Sequence, residues 1–203
     1  MLENRSIMRR EGILDQVAMP AEPSSVALRT LPPEARFVLR LGAGDATRNG
    51  SIAGLSLALP INRFGADASR LAARLGPDEW LLIGPDADAE TMHADAARAL
   101  AGTHHALVDI SHRNVGMELS GRAAAVILNA GCSLDLGDRQ FPPGSATRTL
   151  LGKAEVVLFR LADVPDRLGV AVPHYRIECW RSFARYVHGY LAGAAAEYAA
   201  VRN

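Results

Sequence analysis

A carboxylate, a hydroxyl and an imidazole stand close together in the segment Asp109-Ile110-Ser111-His112-Arg113. These residue types form the catalytic triad of many hydrolases, but triad members usually come from separate elements and the nucleophile needs an exposed turn. The chain has no G-x-S-x-G motif that would supply such a turn. The segment therefore favours a strand end at which Asp109 and Ser111 hydrogen-bond to nearby backbone.

Histidines around this segment could bind a metal ion. His104, His105, Asp109 and His112 carry the donor atoms that zinc prefers. Successive residues of a strand point to opposite faces, so His104 and His105 cannot share a site within one strand. His112 lies beyond the predicted strand end, so no closed set of ligands forms, and we expect no metal site in this chain.

A glycine-rich turn follows the strand predicted at residues 36–41. Gly42-Ala43-Gly44-Asp45 is similar to the start of a dinucleotide-binding loop, but Thr47 stands where the third glycine belongs. No acidic residue ends a following strand, as the ribose contact requires. We interpret this segment as a simple turn and expect no cofactor site here.

The elements that position these residues follow from hydrophobic periodicity. Alternation is clearest at residues 36–41, where Phe37, Leu39 and Leu41 share one face. Further strands are predicted over residues 26–31, 71–75, 80–83, 106–111, 115–119, 147–151, 155–161 and 175–179. Helices are predicted over residues 87–100, 123–129 and 182–198, with helix-like spacing also over residues 45–58 as far as Pro60.

This order of elements indicates an α+β fold with a central, mostly antiparallel sheet and a few packed helices. Residues 1–24 have mixed charge and no sustained period, and we expect them to form an N-terminal arm before a single domain at residues 25–203. Trp80 and Trp180 fall in predicted strands and are expected to fill the core. A stacked contact beside Arg181 is the alternative for Trp180.

Composition excludes several classes of protein. Lys+Arg and Asp+Glu both number 22, so the formal net charge is zero, which argues against binding nucleic acid or an anionic membrane through bulk charge. No apolar run approaches the ~18 residues of a membrane span, and the charged N-terminal sequence is unlike a signal peptide. Cys132 and Cys179 form no metal or redox motif. We expect a cytoplasmic protein with reduced thiols.

An ordered set of short motifs resembles one known family. The set begins with the residues 75–82, LGPDEWLL, and continues with residues 108–113, 119–124, 131–132, 141–144, 147–148 and 175–182. Together these segments resemble the gamma subunit of heterotetrameric sarcosine oxidase. That family is similar in turn to the folate-binding fold of the glycine-cleavage T-protein, an aminomethyltransferase. The shared pattern is D-x-S followed by L-x-G-x-x-A, here Asp109, Ser111, Leu119, Gly121 and Ala124.

The resemblance implies a subunit without catalytic, cofactor or metal residues of its own. The complex oxidatively demethylates sarcosine to glycine, with hydrogen peroxide and formaldehyde or methylene-tetrahydrofolate as further products. FAD, FMN, NAD, zinc and tetrahydrofolate are expected in the partner subunits, which are the alpha, beta and delta chains. The gamma chain is then a structural component of an oxidoreductase.

Surface character suggests where this chain would contact its partners. The candidate residues are Arg5, Arg9, Arg10, Asp78, Glu79, Trp80, Asp109, Ser111, His112 and Arg113. Two alternatives remain open at this stage. One is a stand-alone tetrahydrofolate-binding or aminomethyltransferase-like protein, and the other is the equivalent subunit of an N-methylglutamate dehydrogenase. No residue of this chain distinguishes the amine substrates.

Overall fold

A computed structural model describes residues 13–14, 26–42, 44–46, 50–67 and 69–201. Within this part of the chain, ten strands form one antiparallel sheet and four more form two short ribbons. The strands are β1 (Ala27–Thr30), β2 (Glu34–Leu41), β3 (Ser51–Ile52), β4 (Leu55–Ser56), β5 (Arg63–Asp67), β6 (Arg70–Arg74), β7 (Glu79–Pro85), β8 (His105–Asp109), β9 (Asn114–Ser120), β10 (Ser145–Leu151), β11 (Ala154–Arg160), β12 (Val164–Pro165), β13 (Ala171–Val172) and β14 (His174–Trp180). The helices are α1 (Ala89–Ala99), α2 (Ala124–Asn129) and α3 (Ala184–Val201).

The large sheet consists of two halves joined by a short seam. The first half-sheet has the order β5-β6-β7-β2-β8, and the second half-sheet has the order β1-β9-β14-β11-β10. At the seam, β10 and β5 share a single register pair, Ser145 with Arg63. The sheet curls so that the two halves face each other. We call the facing surfaces the inner faces; they pack through apolar residues such as Leu81, Val157 and Phe159.

The outer face of each half-sheet is covered by helices. Met92 and Ala96, four residues apart on α1, pack on the first half-sheet with Trp80 and Leu82. The helices α2 and α3 pack on the second half-sheet, where the buried α3 residues recur at spacings of three and four. The buried apolar residues of α3 are Ala184, Val187, Leu191 and Ala195.

The structure confirms the α+β fold and the predicted sheet strands, with ends shifted by a few residues. The helix expected at residues 87–100 begins with a 3₁₀ turn, and α1 itself starts at Ala89. The strand β5 escaped sequence analysis. The helix-like spacing at residues 45–58 was misleading over residues 51–56, because these form the β3–β4 hairpin with Ala53 and Gly54 at φ of 51° and 82°. Positive φ at both central residues is the geometry of a tight hairpin turn. A single helical turn is present at residues 44–46.

The predicted arm at residues 1–24 lies almost entirely outside the described residues. Of that segment the structure describes Ile13 and Leu14, and Leu14 is buried in the core of the second half-sheet. Arg5, Arg9 and Arg10, the arm residues suggested for partner contact, lie outside the described residues, so this suggestion stays a prediction.

Candidate functional site

A cavity of about 380 Å³ opens between the inner faces of the two half-sheets. Its walls are aliphatic and its floor and mouth carry charged groups. It is lined by Val38, Arg40, Leu75, Glu79, Leu81, Val108, Ile110, Arg113, Asn114, Arg148, Glu155, Val156, Val157, Glu178 and Trp180. Both half-sheets contribute, so the cavity exists only when the sheet is curled.

The floor of the cavity is a buried ion network centred on Glu178. Arg36 Nε donates to Glu178 Oε2 at 2.6 Å, and Arg176 donates to Glu178 Oε1 through Nε at 2.9 Å and Nη2 at 2.6 Å. Glu34 accepts from both guanidinium groups. Burial alone would raise the pKa of Glu178, but the charges of Arg176 and Arg36 hold that pKa below its ordinary value.

This network joins the two half-sheets. Arg36 lies on β2 in the first half-sheet, and Glu178 lies on β14 in the second. The close approach requires Gly116 on β9, since a Cβ there would lie 2.7 Å from Glu178 Oε1 and 2.9 Å from Arg36 Nη2. Both carboxylate oxygens of Glu178 already accept hydrogen bonds from arginine, so Glu178 offers a ligand in the cavity no unpaired carboxylate oxygen.

A second chain of ion pairs runs along the mouth of the cavity. Glu79 on β7 binds Arg40 on β2 at 3.0 Å and Arg148 on β10 at 2.6 Å. Arg148 also approaches Glu155 at 3.4 Å, and Arg40 binds Asp78 at 3.0 Å. The hydrogen bond from Arg148 lowers the pKa of Glu79 from its ordinary value. These cations and anions neutralise one another.

Arg113 and Trp180 border the cavity through a cation–π contact, not through ion pairs. The Arg113 guanidinium lies 5.3 Å from the centre of the Trp180 ring, a cation–π distance, and its Nε donates to Asn114 Oδ1 at 3.2 Å. Among the described residues Arg113 has no carboxylate partner. Trp180 is 43% exposed and Val108 is 53% exposed. An apolar surface therefore borders the cavity, together with the Arg113 cation, which no carboxylate of the described residues neutralises.

The structure brings some of the sequence-predicted residues together and separates others. Glu79 and Arg113 both line the cavity, and Asp78 pairs beside it with Arg40. Trp80 points to the outer face, is fully buried and donates its Nε1–H to the carbonyl of Leu57 at 3.1 Å. Trp80 thus fills the core as expected, and its side chain is inaccessible to a partner in this structure.

The segment 109–113 forms a hydrogen-bonded turn. Ser111 Oγ donates to Asp109 Oδ1 at 2.6 Å and accepts the Arg36 backbone N–H at 2.9 Å. Ser111 is buried, and its hydroxyl bonds the carboxylate directly instead of an imidazole. This geometry differs from that of a catalytic triad and matches the local backbone role predicted for Asp109 and Ser111. His112 is exposed beside the turn.

Sequence analysis missed the charged floor and misplaced one tryptophan. Arg176 and Glu178 alternate with apolar residues in a strand, so two charges on one strand face were a detectable signal of a buried polar pair. Their partner Arg36 is distant in sequence.

Trp180 was expected in the core, but it ends β14 at the cavity mouth, where Arg113 stacks on it instead of Arg181. Across the described residues, no three His, Cys, Asp or Glu side chains are placed to hold a metal ion.

Comparison with solved structures first defines the class of fold. Aminomethyltransferase T of the glycine cleavage system from Bartonella henselae superposes with a TM-score of 0.63 at 13% identity, covering 83% of this chain and 46% of that one. Heterotetrameric sarcosine oxidase from Corynebacterium sp. U-96 contains a chain that superposes with a TM-score of 0.76 at 24% identity. The coverage is 94% of this chain and 96% of that chain. The predicted aminomethyltransferase-like fold is confirmed.

Sequence comparison then gives the family. The model of the sarcosine oxidase gamma subunit family matches residues 43–197, so the chain belongs to that family. The sarcosine oxidase subunit gamma of an Arthrobacter species is 29% identical over 168 residues, covering 80% of this chain and 82% of that protein. The subunit from Corynebacterium sp. strain U-96 is 27% identical and covers 91% of this chain and 86% of its own length. The resemblance noted in the sequence is confirmed.

Proposed function

We propose that this chain is the gamma subunit of a heterotetrameric sarcosine oxidase and has a structural, non-catalytic role in it. The observation that carries the proposal is family membership, supported by relatives that align over most of both lengths. In this proposal the complex demethylates sarcosine oxidatively in the cytoplasm. The other components are the alpha, beta and delta subunits, which hold FAD, FMN, NAD, zinc and the tetrahydrofolate that accepts the methylene group.

The geometry of the cavity supports a structural role. The charged groups of its floor bind one another, and the chain of ion pairs at its mouth is likewise internally neutralised. These interactions fix the relation between the half-sheets. Burying several charges costs free energy that pairing only partly recovers, so such networks serve specificity of structure more readily than stability. The chain then presents a rigid surface to its partner subunits.

Among the described residues, no helix combines the length and apolar character needed to cross a membrane.

The test is purification of the native complex through a tag on this chain. We expect alpha, beta and delta polypeptides in near-equal amounts, a flavin absorption spectrum, and sarcosine-dependent hydrogen peroxide production. Assay with N-methylglutamate and a dye acceptor on the same sample distinguishes a related dehydrogenase. A colourless chain recovered alone would contradict the proposal, and tight binding of tetrahydrofolate to that isolated chain would support the stand-alone alternative.

A further inference from the structure

The strand β8 forms one edge of the large sheet and has an unprotected central segment. Its residues 105–109 pair with β2 on one side, and within the described part of the chain no strand pairs on the other. Natural sheet edges are usually protected by charged residues or proline, because their free N–H and C=O groups can pair with another strand. The centre of β8 is Ala106-Leu107-Val108, without such a residue, and Val108 is 53% exposed.

The register of β8 shows which backbone groups face outward. Ile110 donates its N–H to the carbonyl of Arg36 at 2.8 Å, so Ile110 and Arg36 occupy a hydrogen-bonded position of the ladder. Hydrogen-bonded and non-hydrogen-bonded pairs alternate in an antiparallel ladder. Leu107, opposite Leu39, is therefore in a non-hydrogen-bonded position. Its N–H and C=O point away from β2 and are available to an added strand.

The cavity lies directly beside this edge. Val108, on the inner face of β8, lines the cavity together with Arg113 and Trp180. A strand added along β8 would direct every second side chain toward this cavity mouth. The residues that contribute most to binding at protein interfaces are enriched in tryptophan and arginine and cluster in desolvated pockets. The edge and the cavity therefore form one continuous surface.

Charge selects the kind of strand that fits. Arg113 has no carboxylate partner among the described residues and stands at the mouth beside Trp180. A second copy of β8 would present Ala106 and Val108 on this face, neither of which carries a charge. A foreign strand with an acidic residue on the same face as an apolar residue would neutralise Arg113 and fill the cavity mouth.

We propose that β8 binds an extended segment of another subunit by β-strand addition, with an apolar side chain of that segment over the cavity and an acidic one at Arg113. The proposal rests on the proposed function, since it names the surface by which this chain joins its complex. Main-chain hydrogen bonds to Leu107 would give affinity, and the cavity with Arg113 would give specificity.

A matched pair of substitutions tests this surface in the complex. Val108→Lys places a protective charge on the edge strand. The control is Val126→Lys on α2, a valine that is 57% exposed on the helix side of the second half-sheet. Each variant is produced with its partner subunits and purified through its tag. We expect Val108→Lys to reduce recovery of the complex by about tenfold or more, as truncation of an interface anchor does. Val126→Lys should match the wild type, and both free chains should unfold at the wild-type temperature.

Hydrogen exchange distinguishes strand addition from side-chain contact alone. In the wild-type complex we expect the outward amide of Leu107 to exchange at least tenfold more slowly than in the free chain, because it gains a hydrogen bond. An unchanged exchange rate at Leu107 in an intact complex would overturn the proposal, even if Val108→Lys impairs assembly.

The remaining outcomes separate this proposal from the one on which it rests. Full assembly of the Val108→Lys chain with its partners would overturn strand addition and leave the gamma-subunit function intact. Failure of the wild-type chain to recover any of the three partners would overturn both. A dimer of the free wild-type chain that Val108→Lys converts to monomer would show that β8 pairs with a second copy, contrary to the proposal.

Discussion

The two half-sheets have the same layout but complete their edges differently. In the first half-sheet the order is β8-β2-β7-β6-β5, and in the second it is β1-β9-β14-β11-β10, with a helix following the central strand in each. The edge strand β8 follows α1 in the chain. The edge strand β1 precedes both halves in the sequence and closes the second one. The first half-sheet thus takes its edge strand β8 from its own stretch of sequence. The second half-sheet takes its edge strand β1 from the N-terminal part of the chain.

The edge strand β1, which comes from outside its half-sheet in sequence, is held in place by an ion pair. Arg29 on β1 pairs with Glu118 on β9, which also approaches His174 on β14 at 3.5 Å. The corresponding edge β8 has no charged residue at its centre. The inner faces differ as well, since β14 carries Arg176 and Glu178 where β7 presents Leu81 and Ile83. The second half-sheet therefore has charged residues at its β1 edge and along the inner face of β14, where the first half-sheet has apolar residues at the centre of β8 and on β7.

We expect the largest loss of stability when the buried ion network on β14 is disrupted. Glu178→Ala leaves Arg36 and Arg176 with fewer anionic partners in a buried site, and we expect the free energy of unfolding to fall by about 3–5 kcal/mol. The control is Glu155→Ala on the neighbouring strand β11, where the carboxylate is half exposed and pairs with Arg148 at 3.4 Å. Its expected cost is below about 1 kcal/mol. Urea unfolding of the three proteins measures both, and equal losses would show that the buried network contributes no more to stability than a half-exposed ion pair.

The second largest effect is expected at low pH, which should weaken the ion pair of Glu118 at the β1 edge. The hydrogen bond with His174, together with Arg29, lowers the pKa of Glu118 from 4.5 to about 2. A carboxyl with a depressed folded-state pKa stabilises the fold above its unfolded pKa, and this contribution is lost as the pH falls from that value toward about 2. Between pH 6 and pH 3 we expect the wild type to lose on the order of 2 kcal/mol more than Glu118→Gln. Urea unfolding at both pH values tests this, and parallel losses in the two proteins would contradict it.

Sequence periodicity predicted the strands of this sheet because their alternation is local. It could not predict the floor of the cavity, since Arg36 and Glu178 meet only after the two halves curl together, 142 residues apart in the chain. The β3–β4 hairpin was hidden for a different reason. Its turn places Ala53 at a φ of 51°, a conformation that asparagine or glycine would have signalled.

The candidate interface shows the same limit. Glu79 and Arg113 were selected for their surface character, and both do line the cavity. Trp80 was selected on the same ground together with Asp78 and Glu79, but adjacent strand residues point to opposite faces, and Trp80 is fully buried. Val108 carried no such signal, because its exposure depends on β8 being an edge strand of the sheet. Trp180 is exposed because it is the last residue of β14.

We expect the smallest change in the free energy of unfolding from a substitution in the helices that cover the two half-sheets. The helix α1 has no glycine, whereas α3 has Gly189 and Gly193, both exposed. A Cβ at Gly189 would meet no atom within 4 Å. Because glycine in a helix interior costs about 0.5–1 kcal/mol relative to alanine, we expect Gly189→Ala to raise the free energy of unfolding by that amount.

The same substitution at Gly116 is the opposing control. There the new methyl group would lie 2.7 Å from Glu178 Oε1, and we expect a loss of about 1–3 kcal/mol from overpacking. Opposite signs would show that α3 is limited by its own helix propensity, while β9 is limited by the ion network beneath it. If Gly189→Ala instead destabilised the free chain, the glycine would be required by the packing of α3 on the second half-sheet, and the two helices would differ in more than composition.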